Sequence, residues 1–144
     1  MDVFATHQTN NEAETIKLAT HLAQLLQKND IVMLNGSLGA GKSVMARGII
    51  QSLSNTPEED IPSPTFTLVQ QYETSKGFLW HYDLYRIENA EEIYETGWED
   101  IIDQDIILIE WAEKLENLMP LTYINITINQ IENDKRSITI ERVS

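Results

Sequence analysis

The sequence predicts an α/β fold: a sheet with parallel central strands, helices on both faces and antiparallel hairpins. Three features predict it. The apolar run Ile31-Val32-Met33-Leu34 leads straight into a glycine-rich loop and then into helix-forming sequence. A second apolar run, Ile106-Ile107-Leu108-Ile109, shows no polar alternation, as expected of a strand covered on both faces. Alternating β-rich runs separated by turn residues supply the hairpins. The 144 residues are read as a single domain, 1–144, long enough for its own core.

Taken in order, Val3-Phe4-Ala5-Thr6 suggests a short first strand. Thr9-Asn10-Asn11-Glu12 has the spacing of a capping box, and Ile16, Ala19, Leu22, Ala23 and Leu26 then mark one face of a helix reaching about Lys28. After the glycine-rich loop, Ile49, Ile50 and Leu53 continue at helical spacing until Ser54-Asn55-Thr56-Pro57, which is turn chemistry. Pro62 and Pro64 forbid a helix in the connection that follows. Phe66 to Tyr72 and Phe78 to Leu84 read as two strands of a hairpin joined through Thr74-Ser75-Lys76-Gly77. Asn89 to Thr96 reads as a short acidic helix stopped at Gly97. Tyr123 to Ile128 and Ser137 to Ile140 alternate around Asn133-Asp134, predicting a terminal hairpin with one wetter face.

Composition narrows the function classes. A formal charge of −13 argues against a surface that grips nucleic acid by itself, because that affinity rests on Lys and Arg neutralising phosphates. The absence of cysteine removes disulfides and thiolate metal sites. No apolar run approaches the length of a membrane span, and the first residues do not resemble a signal peptide. A cytoplasmic protein with no membrane partner is the expectation.

The chemistry concentrates at Gly36-Ser37-Leu38-Gly39-Ala40-Gly41-Lys42-Ser43, which satisfies the phosphate-loop pattern G-x-x-x-x-G-K-[ST]. Glycines let backbone approach a phosphate chain, and the free N–H groups of the loop and helix start converge on its oxygens. Lys42 would meet the β- and γ-phosphates, and the Ser43 hydroxyl would help hold Mg²⁺. Together with the strand order, the loop predicts a phosphate-loop NTPase-like sheet, its site at the C-terminal ends of strands 31–35 and 106–109.

Such a site needs a second acid for Mg²⁺ at the end of a buried strand, and Glu110 directly follows Ile109. In Pro62-Ser63-Pro64-Thr65-Phe66-Thr67, Thr65 either senses the γ-phosphate from a switch segment or enters a strand from a rigid connection. His81 and Asp83 fall on one face of an extended run and Tyr82 on the other. Asp83 could order the attacking water or the metal shell, whereas His81 alone reads more readily as a structural hydrogen-bonder. Arg86 reads either as a neutraliser of transition-state charge or as a solvated or paired side chain. Trp111 either packs near the nucleotide or belongs to the core.

Four blocks, Gly-Ser-Leu-Gly-Ala-Gly-Lys-Ser at 36–43, Ser-Pro-Thr-Phe-Thr-Leu-Val at 63–69, His-Tyr-Asp-Leu-Tyr-Arg at 81–86 and Leu-Ile-Glu-Trp at 108–111, occur in that order. Together they closely resemble the TsaE (YjeE) family of bacterial ATPases required for the threonylcarbamoyladenosine modification of tRNA. The resemblance covers nearly the whole chain and implies ATP and Mg²⁺ as ligands. It implies phosphate binding by Gly36 to Ser43, Mg²⁺ ligation by Ser43 and Glu110, and catalytic roles for Lys42, Thr65, Asp83 and Glu110. Trp111 matches the Trp that follows the family's acid, and Thr9 is placed near the adenine. It further implies work with the proteins TsaD and TsaB, with tRNA met only through that complex. Family loops commonly carry an acid where Ser37 stands and Thr where Ser43 stands.

Beside an ATPase cycling on a partner complex, two other functions fit a phosphate loop: a small-molecule kinase, and a nucleotide-dependent regulatory module that does not hydrolyse. No Arg-rich lid supports the kinase, and no Asn-Lys-x-Asp motif favours GTP over ATP.

Overall fold

The computed structural model describes residues 2–37, 40–55 and 68–144. Seven strands form one sheet: β1 (Thr6–Thr9), β2 (Ile31–Asn35), β3 (Val69–Thr74), β4 (Gly77–Asp83), β5 (Ile106–Glu110), β6 (Tyr123–Glu132) and β7 (Lys135–Val143). Their spatial order is β1-β7-β6-β2-β5-β4-β3. The inner four, β6, β2, β5 and β4, run parallel, and β1, β7 and β3 add antiparallel edges. The predicted α/β class and its parallel strands 31–35 and 106–109 are present, paired directly with Leu34 opposite Glu110.

Alternation along the strands divides the core in two. Val32, Leu34, Ile106 and Leu108 pack on one face against α1 (Glu12–Leu25) and α2 (Lys42–Leu53). Ile31, Met33, Ile107 and Ile109 face the other way, toward the 3₁₀ helices Ala90–Thr96 and Ala112–Leu118 and the single turn α3 (Trp98–Ile101). Unbroken apolar runs in β2 and β5 follow from this double coverage. In the terminal hairpin, Ile124, Ile126, Ile128, Ile138 and Ile140 all join the α1/α2 side, while Asn125 and Thr127 are half-buried, which is the wetter face expected.

Local departures have physical causes. The first strand is Thr6–Thr9, not Val3–Thr6, because pairing with β7 draws a polar segment into the sheet. Val3 is instead buried in the core. Thr9, still part of that strand, cannot cap α1, and the cap moves two residues along. Asn11 accepts the Glu14 N–H at 2.9 Å, and the Glu14 carboxylate reaches back to the Asn10 N–H at 2.9 Å. Helix α1 stops at Leu25, short of Lys28. Lys76 Nζ donates there to the carbonyls of Ala23 (3.2 Å) and Gln24 (2.9 Å), taking the place of the missing helical donors. The acidic segment after Asn89 is a 3₁₀ helix, ended by Gly97 at φ 84°. Residues 66 and 67 of the predicted hairpin lie outside the described residues, but its strands 69–74 and 77–83 pair antiparallel as expected. No helix among the described residues is long and apolar enough to cross a membrane.

Candidate nucleotide site

Strand β2 delivers the chain to the loop at the C-terminal edge of the parallel strands. At Gly36 a Cβ would lie 2.6 Å from the Ile128 carbonyl oxygen, so only glycine lets the loop leave β2 this close to β6. Gly41, at φ 115°, turns the chain into α2, and the Met45 N–H bonds its carbonyl at 3.1 Å to close the first turn. Lys42 and Ser43 are the first two helical residues.

The two long helices begin differently. Asn11 caps α1, and Glu12 and Glu14 stand in its first turn. Helix α2 has no side-chain cap and no acid in its first turn. Its starting N–H groups therefore keep their partial positive charge and point out of the sheet's C-terminal edge, a geometry suited to an anion. Ser43 is exposed at this end. Lys42 is 8 % exposed, with its ammonium 4.4 Å from the centre of the Trp111 ring. Trp111 itself stands at φ 62°, in the left-handed region unusual for a bulky residue, and its ring lies 4.9 Å from that of Tyr85.

Strand parity places the acids. His81 and Asp83 of β4 and Glu110 of β5 project from the α1/α2 face, because Tyr82 and Ile109 occupy the other. Asp83 and Glu110 are register partners on adjacent parallel strands. Glu110 is almost fully buried and its carboxylate meets His81 Nε2 at 2.7 Å, while His81 Nδ1 has no partner among the described residues. Donation to the carboxylate places a ring proton on Nε2. Asp83 accepts the Tyr85 N–H at 3.0 Å and donates its own N–H to the Leu68 carbonyl at 2.9 Å.

The structure thus gathers Gly36, Ala40, Gly41, Lys42, Ser43 and Trp111 around the loop, with Glu110 and Asp83 at the adjoining strand ends. Ser37 accepts the Ala40 N–H at 3.0 Å through its carbonyl. Leu38, Gly39, Thr65 and the prolines 62 and 64 lie outside the described residues. Thr9 is buried, its hydroxyl 2.8 Å from that of Thr15, and it is Thr15 that lines a shallow groove beside the loop with Asn11, Val44 and Arg136.

Three contacts escaped the sequence reading. Arg136 donates from Nε to the Ala40 carbonyl at 2.7 Å, Tyr85 packs on Trp111, and His81 holds Glu110. Proximity in sequence could have suggested none of them, since His81 and Glu110 are 29 residues apart and Arg136 and Ala40 are 96. Among the described residues no three His, Asp or Glu side chains converge to hold a metal by themselves. The Ser43 hydroxyl and the Glu110 carboxylate are oxygen donors of the type a hard divalent cation accepts.

Residues 9–138 match the family described as "Threonylcarbamoyl adenosine biosynthesis protein TsaE". The chain belongs to the TsaE family. A TsaE of Rickettsia conorii is 46% identical over 134 residues, covering 93% of this chain and 76% of the relative. The TsaE of Aquifex aeolicus is 36% identical over 132 residues and 92% of both chains. The crystal structure of Bacillus subtilis YdiB superposes with a TM-score of 0.75 at 28% identity, covering 96% of this chain and 84% of that one. The backbone fold is therefore shared with that protein.

Proposed function

We propose that this TsaE-family chain binds and hydrolyses ATP with Mg²⁺, and that the cycle supports threonylcarbamoyladenosine modification of tRNA at adenosine 37 by acting on the TsaD–TsaB complex. Family membership supports the pathway. One structural observation supports the chemistry: an uncapped helix start carrying Lys42 and Ser43, set beside the paired strand ends of Asp83 and Glu110.

In this reading the loop amides and the start of α2 cradle the ATP phosphates, and Lys42 exchanges the Trp111 ring for the β- and γ-phosphate oxygens. Mg²⁺, when bound through Ser43 and Glu110, would neutralise charge on those oxygens. His81 holds the Glu110 carboxylate in one orientation. Asp83 orders the water that attacks the γ-phosphorus; the bond to the β–γ bridging oxygen breaks, giving ADP and phosphate. Thr65 is assigned to sensing the γ-phosphate. The adenosine end is assigned to the groove beside Thr15, whose hydroxyl lies 2.8 Å from that of Thr9, the residue the family resemblance puts near the adenine.

Arginines that could stabilise charge are few. Of four arginines, Arg47 pairs with Glu12 at 2.8 Å, Arg142 lies 3.9 Å from Asp30, and Arg136 is engaged by backbone carbonyls. Slow turnover by the isolated chain, raised when TsaD–TsaB completes the site, follows. The test is Mg²⁺-dependent ATP hydrolysis by the purified protein, alone and with TsaD–TsaB, with Lys42→Ala as control. Stimulation that vanishes in Lys42→Ala is expected. Intact ATP binding without hydrolysis in either condition would leave a binding module in place of an ATPase.

A further inference from the structure

We propose that Arg136 is a positioning residue for the phosphate loop, holding the Ala40–Gly41 peptide so that the Gly41 N–H faces the nucleotide phosphates. The inference rests on the reading of this loop as a phosphate site. Arg136 is the second residue of β7, paired in register with Thr9 of β1 and Gln130 of β6. Its side chain leaves the sheet toward the loop and, among the described residues, donates to backbone carbonyls. Nε donates to the Ala40 carbonyl at 2.7 Å, and one terminal nitrogen donates to the carbonyls of Asn133 (2.8 Å) and Lys135 (3.2 Å). No carboxylate among the described residues lies within ion-pair distance of it.

The consequence is geometric. A trans peptide is planar and its C=O and N–H point in opposite directions, and the described chain has no cis peptide. Drawing the Ala40 oxygen toward Arg136 turns the Gly41 N–H to the far side of the same plane. Gly41, at φ 115°, could rotate this peptide cheaply, because glycine populates that region and its neighbours freely. A charged donor on the Ala40 oxygen removes that freedom before a ligand arrives, which is preorganisation of a single phosphate-binding amide. The two terminal-nitrogen bonds anchor the guanidinium in turn on the β6–β7 turn, so the loop is braced by the terminal hairpin. The guanidinium also adds a full positive charge behind the loop in a chain of net charge −13.

Gln tests the geometry apart from the charge, because its amide nitrogen lies as many bonds from Cα as Arg Nε does. Calorimetric titration of Mg²⁺-ATP into Arg136→Met should show affinity reduced about tenfold or more, the size of one charge-assisted hydrogen bond. Arg136→Gln should recover most of that loss, which removal of a general packing contact would not predict. Affinity in Arg136→Met equal to that of the unaltered protein overturns the proposal. Failure of the unaltered protein to bind Mg²⁺-ATP overturns the phosphate-site reading itself, a distinct result. Should Arg136→Met not fold, the amide resonances of the unaltered protein decide. The Gly41 amide should move on adding Mg²⁺-ATP, and an unmoved Gly41 amide in protein that binds ATP overturns the proposal.

Discussion

Helix α2 presents Lys42 and Ser43, and its seating against α1 depends on one glycine. A Cβ at Gly48 would lie 2.7 Å from the Ala19 Cβ and 3.5 Å from the Ile16 Cα. Carbon atoms pack at about 3.5–4.0 Å, so Gly48→Ala must part the helices by roughly 1 Å. Overpacking of this kind costs about 1–3 kcal/mol, against about 1 kcal/mol returned by the better helix propensity of Ala. Ala19→Gly removes the opposing methyl and alone costs about 1–2 kcal/mol, from propensity and lost burial. In Gly48→Ala/Ala19→Gly the methyl merely changes helices and the clash disappears. Urea unfolding of the four proteins should give a coupling energy of about 1–3 kcal/mol at unchanged m-value. Each kcal/mol corresponds to roughly 3 °C in Tm for a chain of this size. Because α2 carries the loop, Mg²⁺-ATP affinity should fall in Gly48→Ala and return in the double variant. Additivity within about 0.5 kcal/mol would refute the contact as the reason for glycine.

Three further outcomes are expected. Gly36→Ala places a methyl 2.6 Å from the Ile128 carbonyl oxygen, a backbone atom, and should cost about 1–3 kcal/mol with a loss of ATP affinity; thermal unfolding and calorimetry that both match the unaltered protein would contradict it. His81→Leu strips Glu110 of its donor and should cost about 1.5–3 kcal/mol and lower hydrolysis, whereas His81→Gln, whose amide nitrogen reaches near the imidazole Nε2, should retain much of both; equal effects from the two substitutions would argue against the hydrogen bond as cause. The Glu92 carboxyl is held below its ordinary range by the N–H groups of Asn89 and Glu88, at 2.7 and 2.6 Å. A lowered folded-state pKa stabilises the fold above the unfolded-chain value of about 4.3, and the contribution disappears as pH falls through the folded value. Glu92→Gln should therefore lower stability at pH 7 but not at pH 2, as pH-dependent thermal unfolding would show; a deficit of equal size at both pH values would contradict the capping role.

Local chemistry made the site's centre legible. Gly36, Gly41, Lys42 and Ser43 fall within eight consecutive residues and announce a strand-loop-helix, because each residue type serves a backbone or ligand need that its neighbours define. Glu110 was legible from its place after an unbroken apolar strand, and the shared face of His81 and Asp83 from period-two alternation. The cap of α1 was misplaced by two residues because Thr9 has the right side chain but the wrong backbone, already committed to β7. Thr65, Leu38 and Gly39 lie outside the described residues, and their assignments stand as expectations.

Sequence by itself determined the α/β class, the strand-loop-helix around Gly36 to Ser43 and the shared face of His81 and Asp83, since period, turn chemistry and helix starts are local properties written in adjacent residues. Only the tertiary structure decided that β6 runs parallel beside β2, that His81 holds Glu110, that Lys42 rests on Trp111, and that Arg136 reaches Ala40 from the far hairpin. Each of those joins residues whose separation is set by how strands order in the sheet. That order follows from burying two apolar faces at once, a condition no single stretch of the chain can express.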